Sequence, residues 1–157
     1  MFAYENFGFK PDIVTLAKGL GGGLPIGAFL CNDKTSGVMS NGDHGSTFGG
    51  NPVCCAGAMK VLEIVSNPEF LGDVASKGKY IMQKIAELGN PGVVDIRGMG
   101  LMIGIQIKGS HKEVAQKALE KGLLVLTAGS DVVRLLPPLT ITKEQIDEGL
   151  GILSSIL

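Results

Sequence analysis

The sequence predicts an α/β protein, on three observations. Short apolar, partly β-branched runs alternate with longer segments whose apolar residues recur at helical spacing. Glycine, 24 of the 157 residues, falls between those segments as punctuation and forms no low-complexity run. Capping signals stand at the heads of the helical segments. The length suits one domain of ordinary size and is equally the length of a piece of something larger.

Taken in order, residues 11–17 (PDIVTLA) and 26–31 (IGAFLC) are bounded by turn residues and read as buried strands joined by loop 18–25. Asn51 before Pro52 opens a helix running to about Ser66, because the amide oxygen can cap a first turn in which proline's missing N–H is not needed. From Pro68, the spacing of Phe70, Val74, Ile81, Ile85 and Leu88 predicts a second helix that stops at Gly89, with Gly72 and Gly78 weakening its interior. VVDIRGMGLMIGIQI reads as a hairpin turning at 98–100. Residues 111–121 read as a helix ended by Gly122, and LLVLT and VVRLLP as two further strands. Thr142 with Gln145 makes a capping box for a last helix from Lys143 to about Ile156.

The organisation predicted is an α/β block over 1–50, linking helices over 51–89 and a small α/β domain over 90–157. Two strands without a preceding βαβ unit cannot cover both faces of a parallel sheet, so further sequence before Met1 is expected. Residues 11–31 are then expected to expose apolar faces.

Composition narrows the partners. With 14 Lys+Arg against 15 Asp+Glu, 18% charged and 45% hydrophobic, the chain carries no nucleic-acid footprint. No apolar run is long enough to cross a bilayer and MFAYENFGFK lacks signal-peptide character, so a soluble, cytoplasmic protein with small-molecule or protein partners is expected. Cys31, Cys54 and Cys55 suggest neither a disulfide framework nor a zinc site, and read as reduced, mostly buried thiols.

Three stretches carry chemistry. In DIVTLAKGLGGGLPIG, Lys18 ends an apolar strand and is followed by four glycines in five residues. An amine held there and partly desolvated suits nucleophilic, Schiff-base chemistry, and the glycines let backbone approach a bulky planar cofactor. The order of lysine and glycines fits neither a Walker A loop nor G-x-G-x-x-G. In DHGSTFGGNP, the hydroxyls of Ser46 and Thr47, exposed N–H groups and the nearby helix start favour an anion such as phosphate, although an ordinary capped loop has the same composition. His44 reads as a loop residue. Arg134, among apolar residues of a strand, needs a carboxylate; a substrate or a structural Asp/Glu would serve equally, and Arg97 beside Asp95 has the same ambiguity.

KPDIVTLAKGLGGGLPIGAF, HGSTFGGNP and VRLLPPLTIT, in that order, closely resemble the class III, pyridoxal-phosphate-dependent aminotransferases over essentially the whole chain. The resemblance implies an aspartate-aminotransferase-like fold (fold type I), with 1–50 as the end of the large cofactor domain and 90–157 as the small domain. It makes Lys18 the lysine that holds pyridoxal phosphate and shuttles a proton. Thr47 becomes the phosphate-binding residue, supplied across a homodimer, Ser46 its substrate-side neighbour, and Arg134 the grip on the substrate carboxylate. The branch most resembled moves the terminal amine of N-acetylornithine to 2-oxoglutarate in arginine biosynthesis. Ornithine, 4-aminobutyrate and succinylornithine donors, and a non-catalytic self-associating module, stay open. The family's phosphate loop, ring-stacking aromatic and pyridine-binding aspartate have no counterpart here, so the chain alone is expected to transaminate poorly.

Overall fold

The computed structural model describes residues 1–157. Contacts group them into two units, Met1–Leu71 and Gly72–Leu157. Each is described by itself.

In the first unit a 3-10 turn (Ala3–Phe7) precedes strand β1 (Ile13–Leu16). A 3-10 turn over Lys18–Gly21 leads to β2 (Ala28–Cys31), short helix α1 (Asp33–Ser36) and helix α2 (Pro52–Val65). β1 and β2 pair antiparallel as a two-stranded ribbon, with Ile13 opposite Cys31 and Leu16 opposite Ala28. The sequence reading left the pairing open; the ribbon is not buried, and it exposes the apolar faces expected of residues 11–31. Two strands are too narrow to enclose their own side chains, and Ile13, Phe29 and Leu30 are about half exposed. The ribbon is tied to α1 by Asp12, whose carboxylate accepts from Asn32 Nδ2 at 2.8 Å and Lys34 Nζ at 3.2 Å. Those two partners, Asn32 first, hold the Asp12 carboxyl below the usual carboxylate range. The sequence reading missed α1; its signal was Asn32, whose side chain caps the Lys34 amide.

Helices α2 and α3 (Pro68–Glu87) start by the same device. Asn51 Oδ1 accepts from the amides of Val53 and Cys54 at 3.0 and 3.3 Å, and Asn67 Oδ1 from those of Glu69 and Phe70 at 2.8 and 3.2 Å. A proline follows each asparagine, where no amide donor is required. Gly89, at φ +58°, ends α3 as expected.

The second unit is a four-stranded antiparallel sheet, order β3-β4-β6-β5, built from β3 (Val93–Met99), β4 (Met102–Ile107), β5 (Leu126–Ala128) and β6 (Val132–Leu135). With it go α3, α4 (His111–Glu120) and α5 (Lys143–Ser154). Strand alternation divides the sheet into two faces. Ile103, Ile105 and Val133 point to the core side and are fully buried, with Ile85 of α3, Ala118 of α4 and Leu153 of α5 also buried. Each large apolar side chain so enclosed contributes about 1.5–3 kcal/mol. The opposite face carries Asp95, Arg97, Gly104, Gln106 and Arg134.

Of the segment LLVLT only Leu126 and Thr127 form strand, β5 running on to Ala128. Its first leucine is spent on ending α4: the Leu123 amide bonds Ala118 O at 2.8 Å and the Gly122 amide bonds Leu119 O at 3.0 Å, the paired closure that a left-handed glycine permits. The capping box at Thr142 and Gln145 is formed in both directions. Tyr80 Oη donates to Asp147 Oδ1 at 2.6 Å, joining α3 to α5.

The two glycines inside α3 differ in kind. Nothing lies within 4 Å of a Cβ placed at Gly72, whereas one at Gly78 would overlap the backbone carbonyl of Gly100 in the β3–β4 turn. Gly78 therefore lets the hairpin turn rest on the helix backbone. Gly78→Ala is expected to destabilise the protein by about 2 kcal/mol or more through this overlap. Gly72→Ala should stabilise it by up to about 1 kcal/mol through helix propensity. Denaturant unfolding of the two variants checks both signs.

Candidate functional site

The first unit presents Lys18 through an unusual backbone. Ala17 is extended, at φ −159°, and Lys18 then turns to φ +54°, the one non-glycine residue of the chain at positive φ. That region crowds the Cβ of an L-residue against backbone and costs about 1–2 kcal/mol. The chain continues through successive tight turns: the Leu20 amide bonds Ala17 O at 3.2 Å, the Gly22 amide Gly19 O at 3.1 Å and the Leu24 amide Gly21 O at 3.1 Å.

This loop rests on α2. A Cβ at Gly57 of α2 would lie 2.7 Å from Leu24 Cδ1 and 3.3 Å from Gly21 O, and one at Gly22 would lie 3.0 Å from Val61 Cγ2, one helical turn further on. Gly21 is buried, and a Cβ there would meet Ile26 Cγ2 at 2.8 Å. Glycines on both sides of the contact thus seat the loop close to the helix and fix where Lys18 begins. Lys18 itself is exposed. The partly desolvated setting expected for it is not provided within this unit.

Ser46 and Thr47 lie in the exposed loop before α2, where the Gly49 amide bonds Ser46 O at 3.1 Å. Ahead of them Asp43 accepts from the Ser40 amide at 2.7 Å and Ser40 Oγ at 2.9 Å, and these bonds hold its carboxyl below the usual range. The first amides of α2 are not open to a ligand, since Asn51 Oδ1 occupies those of Val53 and Cys54. An anion here would be met by the two hydroxyls and the loop amides. His44 packs edge-on against Phe29, at 5.9 Å between ring centroids. Of the three free cysteines Cys54 alone is buried, the other two being half-buried.

In the second unit Arg134 stands on the polar face of β6, opposite Gly104 of β4. Its Nε is the one buried side-chain nitrogen or oxygen without a hydrogen-bond partner. A buried donor left unpaired costs about 1–3 kcal/mol. Arg97 is different: its Nη1 donates to Asp95 Oδ2 at 2.6 Å and Gln106 Oε1 at 3.2 Å. The ambiguity shared by the two arginines in the sequence is thereby divided, Arg97 finding an internal carboxylate and Arg134 none. A cavity of about 330 Å³ in this unit is lined by apolar residues such as Ile81, Leu135, Ile146 and Leu150 and includes none of the four candidate residues.

These features are an amine on a strained, glycine-seated turn, a hydroxyl-bearing loop at a helix start and an unpartnered arginine. An amine, hydroxyls and an arginine are the kinds of group that carbonyl-cofactor chemistry on carboxylate substrates calls for. A family profile described as "Aminotransferase class-III" matches residues 1–157. The chain is 46% identical over 151 residues to acetylornithine aminotransferase of Bacillus subtilis, covering 96% of this chain and 39% of that protein. It is 49% identical over 160 residues to acetylornithine aminotransferase of Haemophilus ducreyi, covering 100% and 39%. The crystal structure of N-acetylornithine aminotransferase from Stenotrophomonas maltophilia superposes with a TM-score of 0.88 at 35% identity, covering 99% of this chain and 42% of that one. Ornithine δ-aminotransferase of Plasmodium falciparum superposes with a TM-score of 0.87 at 35% identity, covering 98% and 41%.

The chain belongs to the class III aminotransferases, which are pyridoxal-phosphate-dependent, and its fold is that of fold type I. It spans about two fifths of the length of the curated relatives it matches. No helix is long and apolar enough to cross a membrane.

The strain at residue 18 can be separated from its side chain. Lys18→Gly is expected to raise stability by about 1 kcal/mol by relieving the left-handed penalty, and Lys18→Ala to leave stability nearly unchanged because it keeps the Cβ. Equilibrium unfolding of the two variants checks this.

Proposed function

We propose that this chain supplies the lysine, a phosphate-binding threonine and the carboxylate-binding arginine of a pyridoxal-phosphate-dependent aminotransferase that moves the terminal amine of N-acetylornithine to 2-oxoglutarate, as in arginine biosynthesis. The observation that carries the reading is the left-handed backbone of Lys18. Glycine would occupy that position without strain, so a lysine kept there is kept for its amine.

The residues present fit the cofactor. Lys18 would bind it through its aldehyde carbon, with the glycine turn leaving room for the ring. Thr47 would hold the phosphate, donated to the neighbouring subunit of a homodimer, with Ser46 beside it on the substrate side. When bound, pyridoxal phosphate supplies an electron-withdrawing centre that accepts the amine and stabilises the carbanion formed on losing a proton. Lys18, displaced by the incoming amine, would carry that proton to and from the amine-bearing carbon of the substrate. Arg134 would grip a substrate carboxylate with its planar fork and satisfy its own unpaired Nε. N-acetylornithine thus leaves as the aldehyde, and 2-oxoglutarate takes the amine and leaves as glutamate.

In domain terms, 1–50 forms the end of the cofactor-binding domain, 90–157 the small domain and 51–89 the helices between them. The cytoplasm is the compartment this reading expects. Ornithine as donor is favoured by one observation, the similarity to ornithine aminotransferase structures. It is tested by comparing kcat/KM for N-acetylornithine, ornithine, succinylornithine and 4-aminobutyrate.

With the protein at full encoded length, pyridoxal phosphate is expected to give a visible absorption band and glutamate formation. In Lys18→Ala the band should vanish and turnover fall by roughly 10⁴-fold or more, the scale of losing a nucleophile and its proton transfer together. A band and turnover unchanged in that variant would overturn the assignment.

A further inference from the structure

The six asparagines of the chain divide five to one. Asn6 Nδ2 donates to Ala3 O at 3.1 Å, and Asn90 Oδ1 accepts from the Gly92 amide at 2.7 Å. Asn32, Asn51 and Asn67 cap helices with their side-chain oxygens. Asn51, Asn67 and Asn90 are each followed by proline, whose nitrogen carries no hydrogen. Asn41 alone makes no side-chain hydrogen bond, and it alone precedes glycine.

Asn41 and Gly42 form the tip of an exposed turn. The Asp43 amide bonds Ser40 O at 3.2 Å, and Gly42 stands at φ +97° while Asn41 keeps negative φ. Positive φ at the third residue alone is the type II arrangement, whose bond joins the first residue to the fourth. The Gly42 N–H at the centre of the turn is therefore not engaged. Asp43 Oδ2 closes the same turn a second time, accepting from the Ser40 amide at 2.7 Å and Ser40 Oγ at 2.9 Å. From Asp43 the chain runs on to Ser46 and Thr47, with His44 seated against Phe29. The Ser40–Asp43 clamp is thus the upstream anchor of the hydroxyl-bearing loop, as the Asn51 cap is its downstream one.

We propose that Asn41–Gly42 is a self-modification site whose conversion to isoaspartate loosens the phosphate-binding loop. The consequence for the cofactor rests on the reading of Thr47 as its phosphate residue. The Gly42 nitrogen, on losing its proton, attacks the Asn41 side-chain carbonyl carbon. A nitrogen–carbon bond forms, the bond from that carbon to Nδ2 breaks, and Nδ2 takes up the proton and leaves as ammonia. Glycine has no Cβ to obstruct the approach. Water then opens the cyclic imide, with no change of oxidation state. Opening at the side-chain carbonyl gives aspartate. Opening at the main-chain carbonyl gives isoaspartate, in which the backbone runs through Cβ and is one carbon longer. A turn closed twice between Ser40 and Asp43 cannot take in the added carbon, so the clamp opens and the loop carrying Thr47 loses its fixed start.

The full-length protein loaded with pyridoxal phosphate is held in mildly alkaline buffer, and peptide mass mapping with an isoaspartate-specific methyl-transfer assay follows every asparagine. Asn41 is expected to convert before any of the other five, with ammonia released in equal amount, and Asn41→Gln to resist. The isoaspartate form is then separated and stripped of cofactor, and its affinity is measured for pyridoxal phosphate and for pyridoxal, which lacks the phosphate. Pyridoxal phosphate should bind roughly 10-fold more weakly, the loss of one hydrogen bond to a charged group, and pyridoxal as before. Asn41→Asp adds the charge without the extra carbon and should stay close to the parent, because an exposed charge is screened.

No conversion at Asn41, or earlier conversion at another asparagine, overturns the modification site. An isoaspartate form that binds pyridoxal phosphate like the parent, or an Asn41→Asp protein that loses as much as the isoaspartate form, overturns the loosening of the loop. Thr47→Val separates the two levels. Weakened pyridoxal phosphate binding in that variant upholds the phosphate reading whatever Asn41 does, and unchanged binding removes that reading and leaves the conversion at Asn41 to the mass mapping.

Discussion

The close approach of a glycine-rich turn to helix α2 is the constraint on which the first unit depends. Gly57 on the helix and Gly22 on the turn remove the side chains that would hold the two apart. Between β1 and that turn the chain passes from the extended Ala17 to Lys18 at φ +54°. The strained lysine stands at the entry to the packed turn. Its persistence where glycine would be easier is the physical argument for a chemical role.

The second unit turns on a different asymmetry. The core face of its sheet is filled by Ile103, Ile105 and Val133, which fixes register, since a slip of one residue would bury Arg134 and expose the isoleucines. The opposite face is consequently polar by alternation. On it Asp95 is bonded to Arg97 and Asp131 to Gln106, while Arg134 Nε has no protein partner. A stable sheet and an unsatisfied arginine thus come from the same pattern of residues.

Most of the second unit was legible in the sequence because its signals are local. Gly89, Gly122 and the Thr142–Gln145 pair act within a single helical turn, as Asn51–Pro52 does in the first unit, and each ends or starts a helix where it was read. The β1–β2 pairing was not legible, because short apolar runs look alike in parallel and antiparallel sheets. LLVLT was read too long, since the closure of α4 by Leu123 is a hydrogen bond invisible in hydropathy. Lys18, Ser46, Thr47 and Arg134 could be picked out by residue type. What the sequence could not carry was the positive φ at Lys18, the exposure of that residue, and the division of the two arginines into paired and unpaired. Those depend on contacts between residues far apart in the chain.

The measurement that bears most directly on the central claim is reductive trapping of pyridoxal phosphate on the full-length protein with borohydride, followed by peptide mass mapping. The account predicts a single irreversibly labelled residue, Lys18. Label on another lysine, such as Lys10 or Lys34, or no label at all, would contradict it.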